Sequence, residues 1–198
     1  MRRLVFDCKD LIDSECARIL KALEGHPTLE DLHVVRWDIG DIHYSETMKC
    51  LASLLSLPTC KVRSLKLAVP RGREKENLHL FLERLEQNKT LERLDLSLIC
   101  CRLDHHDLSK LLENLWKFQN LTHLDLSDSQ LSKFPVLDAS AYVNLRQSRL
   151  RSLALDGNPI IVAGKEEDQS ALLQLLMSAP QLGYVADPFH TETSNLFT

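Results

Sequence analysis

The stretch that decides the fold is NLTHLDLSDSQL, residues Asn120 to Leu131. Leucine stands at 121, 124, 126 and 131, and every residue between them is polar. Intervals of three, two and five fit neither the 3.6-residue period of a helix nor the two-residue alternation of a strand. The same L-x-x-L-x-L template recurs along the chain. It appears at Met1, Leu4, Phe6 and Leu11; at Leu29, Leu32, Val34 and Ile39; at Val62, Leu65 and Leu67; and at Leu91, Leu94 and Leu96. Beyond Leu131 it returns at Leu150, Leu153, Leu155 and Ile160, and in a degraded copy at Leu182 and Val185. The first positions, 1, 29, 62, 91, 121, 150 and 182, are separated by 28, 33, 29, 30, 29 and 32 residues. A near-constant period over seven copies defines a repeat.

A second pattern fills the gaps. Cys16, Ile19, Leu20 and Leu23 are spaced as one face of a helix, as are Met48, Leu51, Ala52 and Leu55. The spacing returns at Leu78, Phe81, Leu82 and Leu85, at Leu108, Leu111, Leu112 and Leu115, and at Leu172, Leu175, Leu176 and Ala179. Ser14, Ser45 and Asp104 stand where N-caps are wanted. Each unit is therefore a short strand, a turn and a helix. Neither half can bury its apolar face alone, so the units must stack into an α/β solenoid. The exception is LSKFPVLDASAYVNLRQSR, Leu131 to Arg149, where Pro135 and the lack of a four-member stripe predict turns or a short distorted helix.

This pattern resembles the leucine-rich repeat family, and its long units with a full helix are similar to the ribonuclease-inhibitor-like subclass. The resemblance covers residues 1–186. It implies a right-handed solenoid of seven units, with a parallel sheet on the concave face and helices on the convex face. Residues 187–198 read as a flexible C-terminal tail. The family places Asn or Cys three residues after the third leucine, whereas this chain has Lys9, Trp37, Pro70, Ile99, Ser129 and Asn158 there. Only Asn158 conforms, so the side-chain ladder at the turns is expected to be nearly absent. The first unit begins at Met1 with no capping segment, which predicts self-association through that uncapped repeat or a missing neighbour.

Composition narrows the function. With 198 residues, 44% apolar and 26% charged, the chain reads as a single globular domain. A net charge of −4 gives no drive towards nucleic acid or anionic membrane, and neither is expected as a partner. No apolar run approaches the ~20 residues of a membrane span. MRRLVFDCKD lacks the apolar core of a signal peptide, so the expected location is cytoplasmic, or a host cytosol for an injected bacterial effector. The six cysteines are then expected as reduced thiols, and the glycosylation triplets at Asn88 and Asn120 as chance.

Chemistry finds little footing. Cys100, Cys101, His105 and His106 fall within seven residues, but adjacent pairs diverge, whereas structural zinc sites separate their ligands by two or more residues. An inert buried cysteine and exposed histidines are the simpler reading, and no metal is expected. No phosphate-binding glycine loop, G-x-S-x-G or H-E-x-x-H occurs, so no cofactor and no catalytic residue is expected. PRGREKE, Pro70 to Glu76, offers Arg71 and Arg73 at the rim of the array. A GTPase activator built on this repeat class would use such an arginine in trans. A solvated basic loop explains the same residues.

What remains is the strand face. In L-x-x-L-x-L the third and fifth positions point away from the core, and the eighth follows at the edge. These positions hold Arg3, Val5 and Cys8; Asp31, His33 and Arg36; Ser64, Lys66 and Val69; Arg93, Asp95 and Leu98; His123, Asp125 and Asp128; Ser152, Ala154 and Gly157; and Tyr184. Asp31, His33, Arg36, Lys66, Arg93, Asp95, His123, Asp125, Asp128 and Tyr184 are the expected contacts with a protein partner, with little cost to the fold when changed. The function expected is non-catalytic recognition of a partner protein. The alternatives are a GTPase-activating protein or the substrate-recognition portion of a larger enzyme such as a ubiquitin ligase.

Overall fold

A computed structural model describes residues 1–35, 45–68, 81–97, 105–160 and 166–184. Seven strands alternate with helices: β1 (Arg3–Asp7), α1 (Asp13–Ala22), β2 (Asp31–Val35), α2 (Ser45–Ser56) and β3 (Ser64–Leu67). After helical residues 81–85 come β4 (Arg93–Asp95), α3 (His105–Asn114) with a 3-10 turn at Leu115–Lys117, and β5 (His123–Asp125). The chain continues through α4 (Ala139–Gln147), β6 (Ser152–Ala154), α5 (Glu166–Ser178) and β7 (Gly183–Tyr184). Every strand pairs in parallel with the next in the chain, so the sheet order is β1-β2-β3-β4-β5-β6-β7. The helices pack in the same succession, α1 on α2, α3 on α4 and α4 on α5.

The register explains the leucine spacing. Leu4, Leu32, Leu65, Leu94, Leu124 and Leu153 lie opposite one another in a single row. All but Leu4 are closed to solvent, and a second buried row runs through Val34, Leu67, Leu96, Leu126 and Leu155. Each fully buried leucine is worth roughly 1.5–3 kcal/mol over an exposed one, so these rows supply most of the drive to stack. The stripes of α2 and α3 are buried as the spacing predicts. In α1, however, Ile19 is 36% exposed, and the buried face is Asp13, Cys16, Ala17 and Leu20.

Several local expectations are corrected. Ser14 lies inside α1 rather than capping it; the N-cap is Ile12, whose N–H donates to the Glu15 carboxylate at 3.1 Å. Asp13 instead binds the neighbouring unit. Its carboxylate accepts from the Thr47 N–H at 3.3 Å and from the Thr47 hydroxyl, which also lies 2.9 Å from its carbonyl. Residues 139–147 form a regular helix, because Asp138 accepts from the Ala141 N–H at 2.7 Å and two buried residues, Ala141 and Leu145, suffice to anchor it. Asp104 lies outside the described residues.

The turn ladder is fuller than the sequence predicts. Asn158, wholly buried, donates to the carbonyls of Leu126 and Leu155 at 2.8 Å and accepts from the Leu131 N–H at 2.9 Å. One unit earlier the shorter Ser129 takes the same place, its hydroxyl donating to the Leu96 carbonyl at 3.2 Å. A hydroxyl reaches one carbonyl where an amide reaches several, so serine carries the ladder on in reduced form. At the other end of the strands, Thr28 and Thr90 donate to the carbonyls of Met1 and Val62, the first residues of the preceding units. Asn88 is buried, with its amide spanning the Leu55 carbonyl and the Thr90 and Leu91 N–H groups, so this glycosylation triplet is a structural element.

Candidate functional site on the open face of the sheet

Parallel sheets are ordinarily covered on both faces. Here the strands alternate between closed and accessible residues, as in β2, where Leu32 and Val34 are buried between the partly exposed Asp31, His33 and Val35. The accessible residues form two rows. One runs Arg3, Asp31, Ser64, Arg93, His123 and Ser152; the other runs Val5, His33, Lys66, Asp95, Asp125 and Ala154. Asp31, His33, Lys66, Arg93, Asp95, His123 and Asp125 are thus brought together on one surface, as the sequence predicts.

Two expected residues stand differently. Cys8 is fully buried, because β1 runs two residues further than β4 or β5 and carries the eighth position into the core. Tyr184 pairs with Leu153, in the row of the leucines, and Gly183 stands opposite Ser152. The last copy is therefore offset by one residue. Arg36 lies outside the described residues, as do Val69, Leu98, Arg71, Arg73, Cys100 and Cys101.

The carboxylates on this face are engaged internally. Asp31 Oδ2 pairs with Arg3 at 3.2 Å, while its buried Oδ1 lies 3.0 Å from His33 Nε2 without a hydrogen bond. Asp95 takes the Lys66 ammonium at 2.6 Å and accepts from the Ser97 N–H at 2.9 Å. Asp125 accepts from the Ser127 N–H at 2.9 Å, and Asp7 does the same for Lys9 at 3.1 Å. These are Asx turns that end the strands. Asp128 has φ +55° and its backbone N–H donates to the Asp156 carbonyl at 2.8 Å. It packs so tightly on Gly157 that a Cβ there would meet Asp128 Oδ1 at 1.9 Å. Gly157 itself has φ +67°, so both space and backbone demand glycine. Asp95, Asp125 and Asp128 therefore take part in the turns, which weighs against the expectation that they change at little cost.

One row of the site escaped sequence reasoning. The residues immediately before the third positions, Arg2, Glu30, Arg63, Glu92, Thr122 and Arg151, are linked strand to strand by their backbones. Arg2 pairs with Glu30 at 3.9 Å and Arg63 with Glu92 at 3.6 Å. Among the described residues no carboxylate pairs with Arg93 or Arg151. His123 stands between them, its Nδ1 2.8 Å from the Thr122 hydroxyl. That hydroxyl donates to the Glu92 carbonyl at 3.1 Å, which assigns the imidazole proton to Nδ1 and leaves Nε2 free to accept one. Partial burial first, then Arg93 and Arg151, hold His123 below its ordinary pKa, with Glu92 opposing.

Burial pushes the thiols of Cys8, Cys16 and Cys50 upward, which keeps them protonated and unreactive. No group of three or more His, Cys, Asp or Glu among the described residues could hold a metal ion. Among them no helix is long and apolar enough to cross a membrane. No family model matches the chain, and a search of curated proteins returns no significant match.

Proposed function

We propose that the chain is a right-handed leucine-rich-repeat solenoid, with the sheet concave and the helices convex, and that it is a non-catalytic module recognising a partner protein on the sheet. The observation that carries this reading is the open polar face of an all-parallel sheet seven strands wide. Strand order identical to chain order, with the helices stacked in the same succession, supports the solenoid. A rigid face of ordered polar side chains loses little conformational entropy on docking, which favours specific recognition.

The outer edge of β1, which pairs with no other strand among the described residues and where Val5 is half-exposed, supports association with a second copy as a subordinate reading. The test of the main reading is photo-cross-linking in cytosolic extract. A benzophenone side chain at Ser64 or Ser152, on the sheet, should give a discrete adduct, and one at Ser53, exposed on α2, should not. Adducts from Ser53 alone would place recognition on the helices and end this reading.

A further inference from the structure

The charges on the sheet face do not balance locally. Every carboxylate there whose partners are given above is engaged: Glu30 and Glu92 by arginines, Asp31 by Arg3, Asp95 by Lys66, and Asp125 by a backbone N–H. Arg93 and Arg151 are exposed and carry no such partner; Arg93 lies opposite His123 in register, and on the other side Arg151 lies one residue before Ser152, the residue opposite His123. The chain as a whole is acidic, at −4, and Asp125, held by a backbone N–H, keeps its own charge further along β5; Arg93 and Arg151 flank His123 as cations without a carboxylate among the described residues.

Resting on the reading of the sheet as a recognition surface, we propose that Arg93, His123 and Arg151 form a strip that docks an acidic segment of the partner protein, taking its carboxylates at both ends. A guanidinium presents two parallel N–H donors to a carboxylate, which favours side-chain carboxylates in a fixed orientation over diffuse negative charge. Arg93 begins β4 and Arg151 immediately precedes β6, two strand spacings away, or about 10 Å. An extended peptide rises about 3.3 Å per residue, so acids three residues apart span the same distance. The segment that fits is therefore extended, with Asp or Glu at intervals of three.

His123 adds a pH dependence to the same strip. The charged or polar groups facing it are Arg93 from β4, Arg151 from the entry to β6, and Glu92 and Thr122 beside it. In the free protein partial burial, and then the two guanidiniums, disfavour the imidazolium. A docked carboxylate offsets that repulsion and offers Nε2 an acceptor, so binding draws a proton onto His123 and its pKa rises. Affinity then increases as the pH falls towards the titration of His123.

The probe is fluorescein-labelled hexaglutamate, added to the full chain at low salt and read by anisotropy. The His123 ring proton is followed by NMR. Saturable binding is expected, weakened at least about thirtyfold by R93E/R151E and unchanged by K21E/K49E on the exposed surface of the first two helices. Peptide should move the His123 titration upward. Should R93E/R151E fail to melt like the parent, R93Q/R151Q supplies the same comparison without new charge. Binding indifferent to either double substitution, or full competition by equimolar inorganic phosphate, overturns the inference. Binding of hexalysine in place of hexaglutamate also overturns it, yet leaves the sheet as a recognition surface. Failure of the broader reading shows separately, as cross-links from the helices alone.

Discussion

Replacing Asn158 with alanine tests the polar half of the stack, which composition alone conceals. The side chain is wholly buried and forms three strong hydrogen bonds, two donated to Leu126 and Leu155 and one accepted from Leu131. Alanine orphans two carbonyls and one N–H, and each buried unsatisfied group costs about 1–3 kcal/mol. Water entering the small void would recover part of that, so the net loss is set at about 3–5 kcal/mol. Ser129→Ala removes a single bond, to Leu96, and should cost about 1 kcal/mol. Urea denaturation followed by circular dichroism gives both values, with the slope unchanged if the transition stays cooperative. A loss below about 1 kcal/mol for Asn158→Ala, or equal losses for the two variants, would refute the claim that this amide ties adjacent turns together.

Three further outcomes follow from other contacts. Thr47→Val removes the hydroxyl from the buried Asp13 carboxylate, leaving only the backbone N–H of residue 47 on α2, and should cost about 1–3 kcal/mol in the same assay, and a neutral result would show that the hydroxyl adds nothing to the α1–α2 contact. Asp125→Lys combined with Asp128→Lys should destabilise by more than about 1 kcal/mol, since one change removes a turn acceptor and the other crowds Gly157, and an unchanged melt would return both residues to the free surface. In native protein at pH 8, peptide mapping after iodoacetamide should find Cys8 and Cys16 unmodified, with both labelled once the chain is unfolded; rapid native labelling would contradict their burial.

Much of this architecture is legible in the sequence because burial follows strict spacing. Leucine at intervals of three and two marks a short strand with one closed face, and the register aligns those leucines as the repeat requires. The stripes of α2 and α3 are equally plain. The helix at 139–147 is not, because an Asp138 cap and two contacts replace the four-member stripe that periodicity detects. Cys8 misleads for a related reason: β1 is two residues longer than β4, so its closing Asx turn falls at Asp7 rather than at the fifth position.

The site was half legible. Alternation identifies which side chains leave the core, so Asp31, Lys66, Arg93 and His123 are found on one face. It cannot reveal which charges are already satisfied. Whether Asp95 or Asp125 is free depends on a backbone N–H two residues on, and on a lysine from the neighbouring strand. Arg151 was overlooked because it precedes the strand pattern, although its place relative to Leu150 repeats that of Arg63 relative to Val62. Counting aspartates suggests an acidic binding face. Setting aside the carboxylates paired with cations leaves Arg93 and Arg151 unpaired among the described residues on either side of His123, with Asp125 further along the strand.

The most direct test uses the partner identified from the sheet-face cross-link and measures its dissociation constant against two charge-reversed chains at matched ionic strength. For R93E/R151E the account predicts a loss of at least about thirtyfold, with affinity for the parent rising as the pH is lowered towards the titration of His123. For K21E/K49E, which adds the same negative charge on the helices, affinity should stay within about twofold. A large loss from the helix pair with none from the sheet pair would contradict recognition on the sheet.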